Sequence, residues 1–283
     1  MPTKKICFVV NEWRFFASHR MDLAISLSKT HGHQVSLISS IENALSEDLT
    51  ACEDAGIQLI HLEQRKAKIG IIKYLAALRK ILINKKFDSI FFITLELSFF
   101  GAMLKMCTEL KRVNFVISGL GHEFLKQSIK NKCYKFMQIS VFKILLNCQS
   151  NQGFIFQNLE DAQLLKQLIK LKDRDFCVIR GNGIDTEKFN FTERSFQNIN
   201  FCYAGRLTKS KGVKTMVEAF SSFKEKFPQS KSKLILCIIS DAKKSENDLN
   251  ADCLDKSIAQ QHIEILYNLT SVELIRAVSY THL

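Results

Sequence analysis

Two glycines and two cations stand at the junction of an apolar run and a predicted helix, in the stretch CYAGRLTKSKGV at residues 202–213. Gly205 precedes Arg206, and Gly212 follows Lys211. A guanidinium can donate two hydrogen bonds to a diphosphate, and an ammonium adds a compact second charge. The first N–H groups of a helix and its dipole also favour an anion there. The stretch predicts a diphosphate site, although an ordinary loop with solvent-facing cations fits the spacing equally well.

A second candidate site directly follows the first apolar run, in NEWRFFASHRMDLA at residues 11–24. It offers Arg14, His19 and Arg20 beside the large side chains of Phe15 and Phe16. The aromatic residues can also belong to the core, and His19 can also cap the following helix. The stretch has no G-x-G-x-x-G pattern, which argues against a nicotinamide or flavin dinucleotide site.

Further candidates lie in SGLGHEF at residues 118–124 and in DRD at residues 173–175. His122 follows a predicted strand at the edge where ligands bind, so we expect it in the site. The D-x-D pattern of 173–175 precedes its strand and is interpreted as a charged turn. No other carboxylate, His or Cys cluster has metal-ligand spacing, so we expect neither a metal nor a cofactor. P-loop and G-x-S-x-G patterns are absent from the sequence.

The elements that must position these residues are short apolar runs alternating with helix-length stretches. Such alternation predicts an α/β protein with a doubly wound parallel sheet, whose ligands bind outside the carboxyl ends of the strands. The polar, turn-rich stretch 181–198 predicts a linker between a first domain, 1–180, and a second, partial domain, 199–283. The predicted strands are 5–10, 34–39, 57–62, 88–94, 114–118, 153–157, 176–180, 199–205, 233–240 and 262–268. The predicted helices are 20–31, 69–85, 98–111, 130–149, 158–171, 212–227 and one that starts near 271.

Composition favours anionic partners, because the 283 residues carry a net charge of +12. Residues 64–86 hold eight Lys or Arg and no acid, and residues 124–150 hold five Lys and no acid. These segments are either solvated helix faces or a basic surface that rests on an anionic membrane. Nine cysteines without a C-x-x-C pair indicate a reducing, cytosolic compartment. Four of them, Cys7, Cys177, Cys202 and Cys237, are predicted as small hydrophobes within strands.

Taken together, these residues resemble the glycosyltransferase family 4 enzymes, which have the GT-B fold of two Rossmann-like domains facing across a cleft. The amino-terminal match comprises Asn11, Phe15, Phe16, Ser18, His19, Arg20, Leu23, Ala24, Leu27, Gly32, His33 and Val35. The stretch from Asn182 to Asp185, with Phe189, is similar to the family's interdomain signature. GRLTKSKGV resembles its nucleotide-sugar site. The GLGHEF stretch and the aromatic start look most like members that act on polyprenyl-diphosphate lipids or build bacterial surface polysaccharides.

The resemblance implies a retaining transfer of a hexose or N-acetylhexosamine from a nucleotide-diphosphate sugar to a lipid-linked or polysaccharide acceptor. By this resemblance Arg206 and Lys211 bind the donor diphosphate, so that no divalent metal is required. The loop from Arg14 to Arg20 would face the acceptor, and His122 corresponds to a site histidine of relatives. The implied location is the cytoplasm, with a peripheral position on the inner face of the cell membrane.

One departure from the family pattern is that its E-G-x-P…E-A segment, with the glutamate pair that holds the donor sugar and ribose, is not in this sequence. From this we expect a protein truncated at its carboxyl terminus, with VSYTHL at 278–283 of foreign origin. Two other functions stay open: a non-catalytic peripheral membrane-binding fragment and a nucleotide-sugar 2-epimerase of the same fold. Nucleic-acid binding is not expected, because no recognition motif accompanies the charge.

Overall fold

The computed structural model of the chain describes residues 2–42, 44–63, 68–120, 129–148, 151–183, 199–205, 211–238 and 262–267. The chain divides into two compact units, Met1–Asp185 and Thr186–Leu283. The division falls inside the predicted linker 181–198. Residues 184–198 are outside the described part of the chain, so the linker itself stays a prediction.

The first unit is built on a sheet of seven parallel strands in the order β3-β2-β1-β4-β5-β6-β7. All seven match runs that the sequence predicts as strands, because runs such as β5, with every residue buried, suit a sheet covered on both faces. The order runs back from β3 to β1 and then forward from β4, so the winding reverses between β1 and β4. The strands are β1 Lys5–Glu12, β2 Gln34–Ser40, β3 Gln58–His61, β4 Ser89–Ile93, β5 Val113–Ile117, β6 Gln152–Phe156 and β7 Phe176–Val178.

Helices cover both faces of this sheet. Successive side chains of a strand point to opposite faces, so Phe8 joins one core cluster while Cys7 and Val9 join the other. The cluster around Phe8 includes residues of α1, α2 and α3, and the other includes residues of α4 to α7. The helices are α1 Trp13–His19, α2 Met21–Lys29, α3 Ser46–Asp54, α4 Lys68–Lys85, α5 Leu95–Met106, α6 Ile129–Cys148 and α7 Leu159–Ile169. Of these, α1 and α3 are not predicted from the sequence, and the other five are confirmed.

Packing on the α4–α7 side is dense and aromatic. Phe115 lies 5.0 Å from Phe154 and 5.7 Å from Phe142, measured between ring centroids. Gly101 lets α5 lie close to the sheet, because a Cβ at that position would stand 2.4 Å from the ring of Phe92. Close packing of this kind fixes the strands, and therefore the residues that follow them, in one arrangement.

The second unit contains a three-stranded parallel sheet of order β10-β9-β8 with one described helix. Its core cluster includes Val217, Phe220, Leu234, Leu236 and Ile238. Its elements are β8 Phe201–Gly205, α8 Val213–Lys226, β9 Leu234–Ile238 and β10 Ile263–Tyr267. All four are predicted from the sequence, and the helix predicted near 271 lies outside the described residues.

One prediction about the cysteines is wrong. Cys7 and Cys237 are buried as expected, and Cys202 is partly buried, but Cys177 is exposed. The reason is that β7 is the edge strand of the first sheet, so its residues are covered less than those of a central strand. The thiol of Cys177 is therefore not a core hydrophobe.

Candidate functional site

The carboxyl edge of the first sheet is where the reversal of winding opens a crevice for a ligand. There the side chain of Asn11, near the end of β1, donates from Nδ2 to Glu96 Oε2 of α5 at 3.3 Å. This contact spans the reversal, because α5 follows β4 directly. Candidate residues at this edge therefore come from β1 and from the ends of β4, β5, β6 and β7.

The predicted acceptor-side loop is a helix, which corrects the prediction. Residues Trp13–His19 form α1, and the side chain of Phe16 is fully buried, so it cannot touch an acceptor. Trp13 is also buried and donates from Nε1 to Asp48 Oδ2 at 3.0 Å. The helix is not predicted from the sequence for two reasons. Among the described residues no side chain caps its first turn, and its aromatic residues have modest helix propensity. The spacing of Trp13 and Phe16, three residues apart, is the signal that can reveal it.

The exposed face of α1 carries the other predicted residues. Arg14 and His19 are exposed, and the ring of Phe15 stacks on that of His19 with centroids 4.8 Å apart. The hydroxyl of Ser18 lies 2.5 Å from His19 Nδ1 and also donates to the carbonyl of Arg14 at 2.7 Å. The structure thus brings Arg14, Phe15 and His19 together on one short helix. Their contact with an acceptor stays a prediction.

Arg20 differs from these exposed residues, because its side chain turns into the protein. It stands between α1 and α2, and its backbone N–H donates to the carbonyl of Phe16 at 2.8 Å. Burial lowers the pKa of its guanidinium below the ordinary arginine value. Its Nε is buried and has no hydrogen-bond partner among the described residues. Arg20 is a partly desolvated cation at the ligand-binding edge.

Three strand ends bring polar groups to the same place. In the orientation of the Gln157 amide that satisfies its neighbours, its oxygen accepts from Arg20 Nη2 at 3.1 Å and its nitrogen donates to the Ser118 carbonyl at 3.2 Å. The Asn182 amide lies 2.8 Å from that of Gln157. Ser118 follows β5, Gln157 follows β6 and Asn182 lies beyond β7. The Ser118 hydroxyl is buried, and nothing in the described ranges accepts from it or donates to it.

The sequence alone does not single out Ser118 and Gln157 as site residues, because each is an ordinary polar residue after an apolar run. The signal close to them is the cap of α7: Asn158 Oδ1 accepts from the backbone N–H of Asp161 at 2.7 Å. Asp161 Oδ2 in turn accepts from the backbone N–H of Leu120 at 3.2 Å. An N-cap immediately after a strand marks the carboxyl edge of a sheet in the sequence. His122, the predicted catalytic residue, lies outside the described residues.

The second unit carries the predicted diphosphate site, which the structure describes in part. Gly205 ends β8 with a φ of +158°, and a Cβ there would stand 3.0 Å from Tyr203 Oη. Gly212 is the N-cap of α8 with a φ of +68°, a left-handed conformation that favours glycine. Lys211 is exposed beside it, and Arg206 lies outside the described residues.

The start of α8 suits an anion. Among the described residues no side chain caps it, and its first turn contains no acidic residue. The first N–H groups of a helix have no partner within the helix, so they remain available to an anion beside Lys211. The role of Gly205, Arg206, Lys211 and Gly212 in binding a diphosphate remains a prediction that this geometry favours.

The D-x-D stretch lies away from the site. Asp173–Asp175 form a 3₁₀ turn at the amino end of β7, as predicted, and Asp173 pairs with Lys166 at 2.5 Å. Within the described ranges no group of three or more His, Cys, Asp or Glu residues is arranged to hold a metal ion. Across those same ranges, no helix combines the length and apolar character that crossing a membrane requires.

Comparison with known proteins finds a curated relative of part of this chain. A curated relative is the N,N'-diacetylbacillosaminyl-diphospho-undecaprenol alpha-1,3-N-acetylgalactosaminyltransferase of Campylobacter jejuni. It is 26% identical over 189 residues, which cover 61% of this chain and 50% of that protein. The chain thus spans about half the length of the curated relative it matches.

Solved structures show the same fold. A glycosyltransferase from Rickettsia africae superposes with a TM-score of 0.67 at 16% identity, covering 99% of this chain and 72% of that one. A UDP-GlcNAc 2-epimerase from Neisseria meningitidis, bound to UDP-GlcNAc, gives 0.62 at 12% identity, covering 98% and 76%. These matches confirm the predicted α/β, GT-B fold class. The fold alone does not separate transferases from epimerases.

The family match lies in the first unit. The family model described as Glycosyl transferase 4-like matches residues 5–158, from β1 to the residue that caps α7. The matched stretch is more than half of the chain and contains Arg20, Ser118 and Gln157. The chain belongs to the Glycosyl transferase 4-like family.

Proposed function

We propose that the protein is a retaining glycosyltransferase that moves a hexose or N-acetylhexosamine from a nucleotide-diphosphate sugar to a lipid-linked or polysaccharide acceptor in bacterial surface-glycan synthesis. The observation that carries the proposal is the family match over residues 5–158, in which the partly desolvated cation Arg20 lies at the carboxyl edge of the sheet. The Campylobacter relative, named for transfer to a diphospho-undecaprenol acceptor, supports a lipid-linked acceptor.

The donor half of the proposal rests on the start of α8. When the glycosidic bond to the nucleoside diphosphate breaks, negative charge grows on the leaving phosphate. Lys211, Arg206 and the free N–H groups of the first turn of α8 would neutralise that charge. Fixed cations and helix N–H groups can do this without a divalent metal. We therefore propose that transfer needs no added metal.

The acceptor half rests on the first unit. The exposed Arg14 and His19 and the partly buried Phe15 lie on α1 at the carboxyl edge, where they can hold an acceptor. His122, in the same family-matched stretch, is proposed as the catalytic histidine. The buried Phe16 is excluded from direct contact, and its contribution is to hold α1 against the sheet.

A 2-epimerase is the second candidate, because epimerases share this fold. The two activities differ in what they require: an epimerase converts the nucleotide-sugar by itself, whereas a transferase needs an acceptor. The protein is incubated with UDP-GlcNAc and UDP-GalNAc, with and without a prenyl-diphosphate-linked sugar, in EDTA. Transfer of the sugar to the lipid, with an unchanged nucleotide-sugar when the lipid is left out, supports the transferase. Conversion of the nucleotide-sugar without acceptor would overturn the transferase in favour of the epimerase.

The donor site is tested by Lys211→Ala and Arg206→Ala. Loss of one group that stabilises developing negative charge lowers kcat by roughly 10²–10³-fold. The matched control is Lys214→Ala, since Lys214 lies on α8 three residues later and pairs with Glu218 at 3.7 Å. We expect the control to keep wild-type turnover. Equal turnover in all three variants would show that the diphosphate is bound elsewhere.

A further inference from the structure

We infer that Arg20, Ser118 and Gln157 form a binding site for a phosphoryl group at the carboxyl edge of the first sheet. The phosphoryl group is that of the acceptor's lipid diphosphate, an assignment that rests on the proposed function. These three residues belong to the first unit, whereas the predicted donor site belongs to the second unit.

Arg20 is the centre of the inference. Burial withdraws its guanidinium from water, and this lowers its pKa. Nη2 donates to the Gln157 amide at 3.1 Å, but the neighbouring Nε–H is buried and has no acceptor among the residues that the structure describes. A buried donor that makes no hydrogen bond costs stability, and a charged one costs more. The guanidinium is therefore placed for an acceptor that a ligand would bring.

Ser118 supplies a second donor in the same place. Its backbone carbonyl accepts from Gln157 Nε2 at 3.2 Å, so one amide side chain joins Ser118 to Arg20. Its hydroxyl is buried and has no partner within the described ranges. The Gln157 amide contacts Arg20 through Nη2 and Ser118 through its carbonyl, so two residues that each hold a buried polar atom without a partner among the described residues adjoin one side chain. Such atoms are normally paired.

The charge balance makes the ligand an anion. No carboxylate in the described ranges forms an ion pair with Arg20. Asp161, an acidic residue near these strand ends, already accepts from Leu120 N at 3.2 Å and from Asn158 Nδ2 at 2.8 Å. A partly desolvated cation without a counter-charge is stabilised when an anion joins it. A phosphoryl group offers several acceptor oxygens that a guanidinium and a hydroxyl can share.

The first experiment measures binding alone. Inorganic pyrophosphate is titrated calorimetrically into the wild-type protein and into Arg20→Met, both saturated with UDP so that the proposed donor site is already occupied. Removing a charge-assisted hydrogen-bond donor is expected to weaken binding about ten- to hundredfold. Arg112→Met is the matched control, because Arg112 is exposed before β5 at the opposite edge of the sheet. We expect its affinity to equal that of the wild type.

A loss of folding is not expected to explain weaker binding by Arg20→Met. Arg20→Met removes a partly buried charge and leaves no unpaired charge behind, so its unfolding temperature should stay close to that of the wild type. If the variant still fails to fold, Ser118→Ala takes its place with an expected loss of about five- to tenfold. Undetectable pyrophosphate binding by the wild type, or equal binding by wild type and both variants, would overturn the site.

A competition arm separates the two sources of a diphosphate. A short-chain prenyl diphosphate should displace pyrophosphate from the wild type and bind Arg20→Met at least tenfold more weakly, whereas the affinity for UDP should be the same in both proteins. If Arg20→Met weakens UDP and leaves the prenyl diphosphate unchanged, the assignment to the acceptor is wrong.

The outcomes also separate this site from the proposed function. Arg20-dependent binding of prenyl diphosphate by a protein that transfers no sugar would support the site and contradict the transferase. Sugar transfer by Arg20→Met with an unchanged KM for the lipid acceptor would support the transferase and contradict the site.

Discussion

A single residue can fix how a helix packs on the sheet that carries the site, and Gly101 is such a residue in the described core. A Cβ at residue 101 would lie 2.4–2.7 Å from three ring atoms of Phe92, a residue with no exposed surface. We expect Gly101→Ala to lower the free energy of unfolding by about 1–3 kcal/mol, because the overpacking cost exceeds the gain in helix propensity. Urea denaturation followed by circular dichroism measures the change.

The control for Gly101→Ala is a double-mutant cycle with Phe92→Leu. If the clash with the ring is the cause, the double variant Gly101→Ala/Phe92→Leu loses less stability than the sum of the two single variants. A Gly101→Ala protein as stable as the wild type would contradict the close approach of α5 to β4.

Among the elements, α4 and α6 stand out because both are rich in lysine and both pack on the same face of the first sheet, on either side of α5. Each also exposes large apolar side chains. Ile72 of α4 is 74% exposed, and Ile129 and Phe136 of α6 are 83% and 73% exposed. Apolar side chains beside lysines, on one side of the molecule, are the pattern of a surface that lies on an anionic membrane.

We expect the protein to bind vesicles that contain phosphatidylglycerol, with affinity that falls steeply as salt rises, since surface charges are screened within about 10 Å at 0.1 M ionic strength. The triple variant Lys73→Glu/Arg79→Glu/Lys80→Glu should weaken binding at least tenfold, at about 1 kcal/mol per charge removed. Phe136→Ser should weaken it further by removing apolar contact. Vesicle sedimentation measures both effects.

Lys29→Glu is the control for the vesicle experiment, because Lys29 ends α2 on the opposite face of the sheet and is exposed. Vesicle binding by Lys29→Glu should fall less than vesicle binding by the α4 triple variant. Binding that does not change with salt, or equal losses in all variants, would leave α4 and α6 as ordinary solvated helices.

The elements also show what a sequence can and cannot reveal. All ten described strands follow from short β-branched or aromatic runs, most of which are continuously apolar. The helix α3 is missed because its nine residues, SEDLTACED, bury only Cys52 and show little apolar periodicity. The site is recognised in part: Arg20 can be named from its motif, but its partners cannot. Gln157 and Ser118 are 137 and 98 residues away along the chain, and only the sheet order brings their strand ends to Arg20.

At the scale of the whole molecule, the division into two units has a consequence for folding. The first unit, Met1–Asp185, contains all seven strands of its sheet and two core clusters that cover both faces. Within the described residues, the core of the second unit packs one helix against three strands. The first unit is also large enough to bury most of its apolar surface without help.

We therefore expect a fragment of residues 1–185 to fold by itself. Its urea unfolding should be a single cooperative transition, because all of its sheet hydrogen bonds are internal to it. The unfolding free energy should fall with urea concentration as steeply as expected for a domain of that size. The matched control is a fragment of residues 1–148, which lacks β6 and β7 and so exposes β5 as an unpaired edge. It should aggregate or unfold without cooperativity. If 1–185 behaves like 1–148, the first unit depends on the second for stability, and Arg20 and its partners must then be studied only in the whole chain.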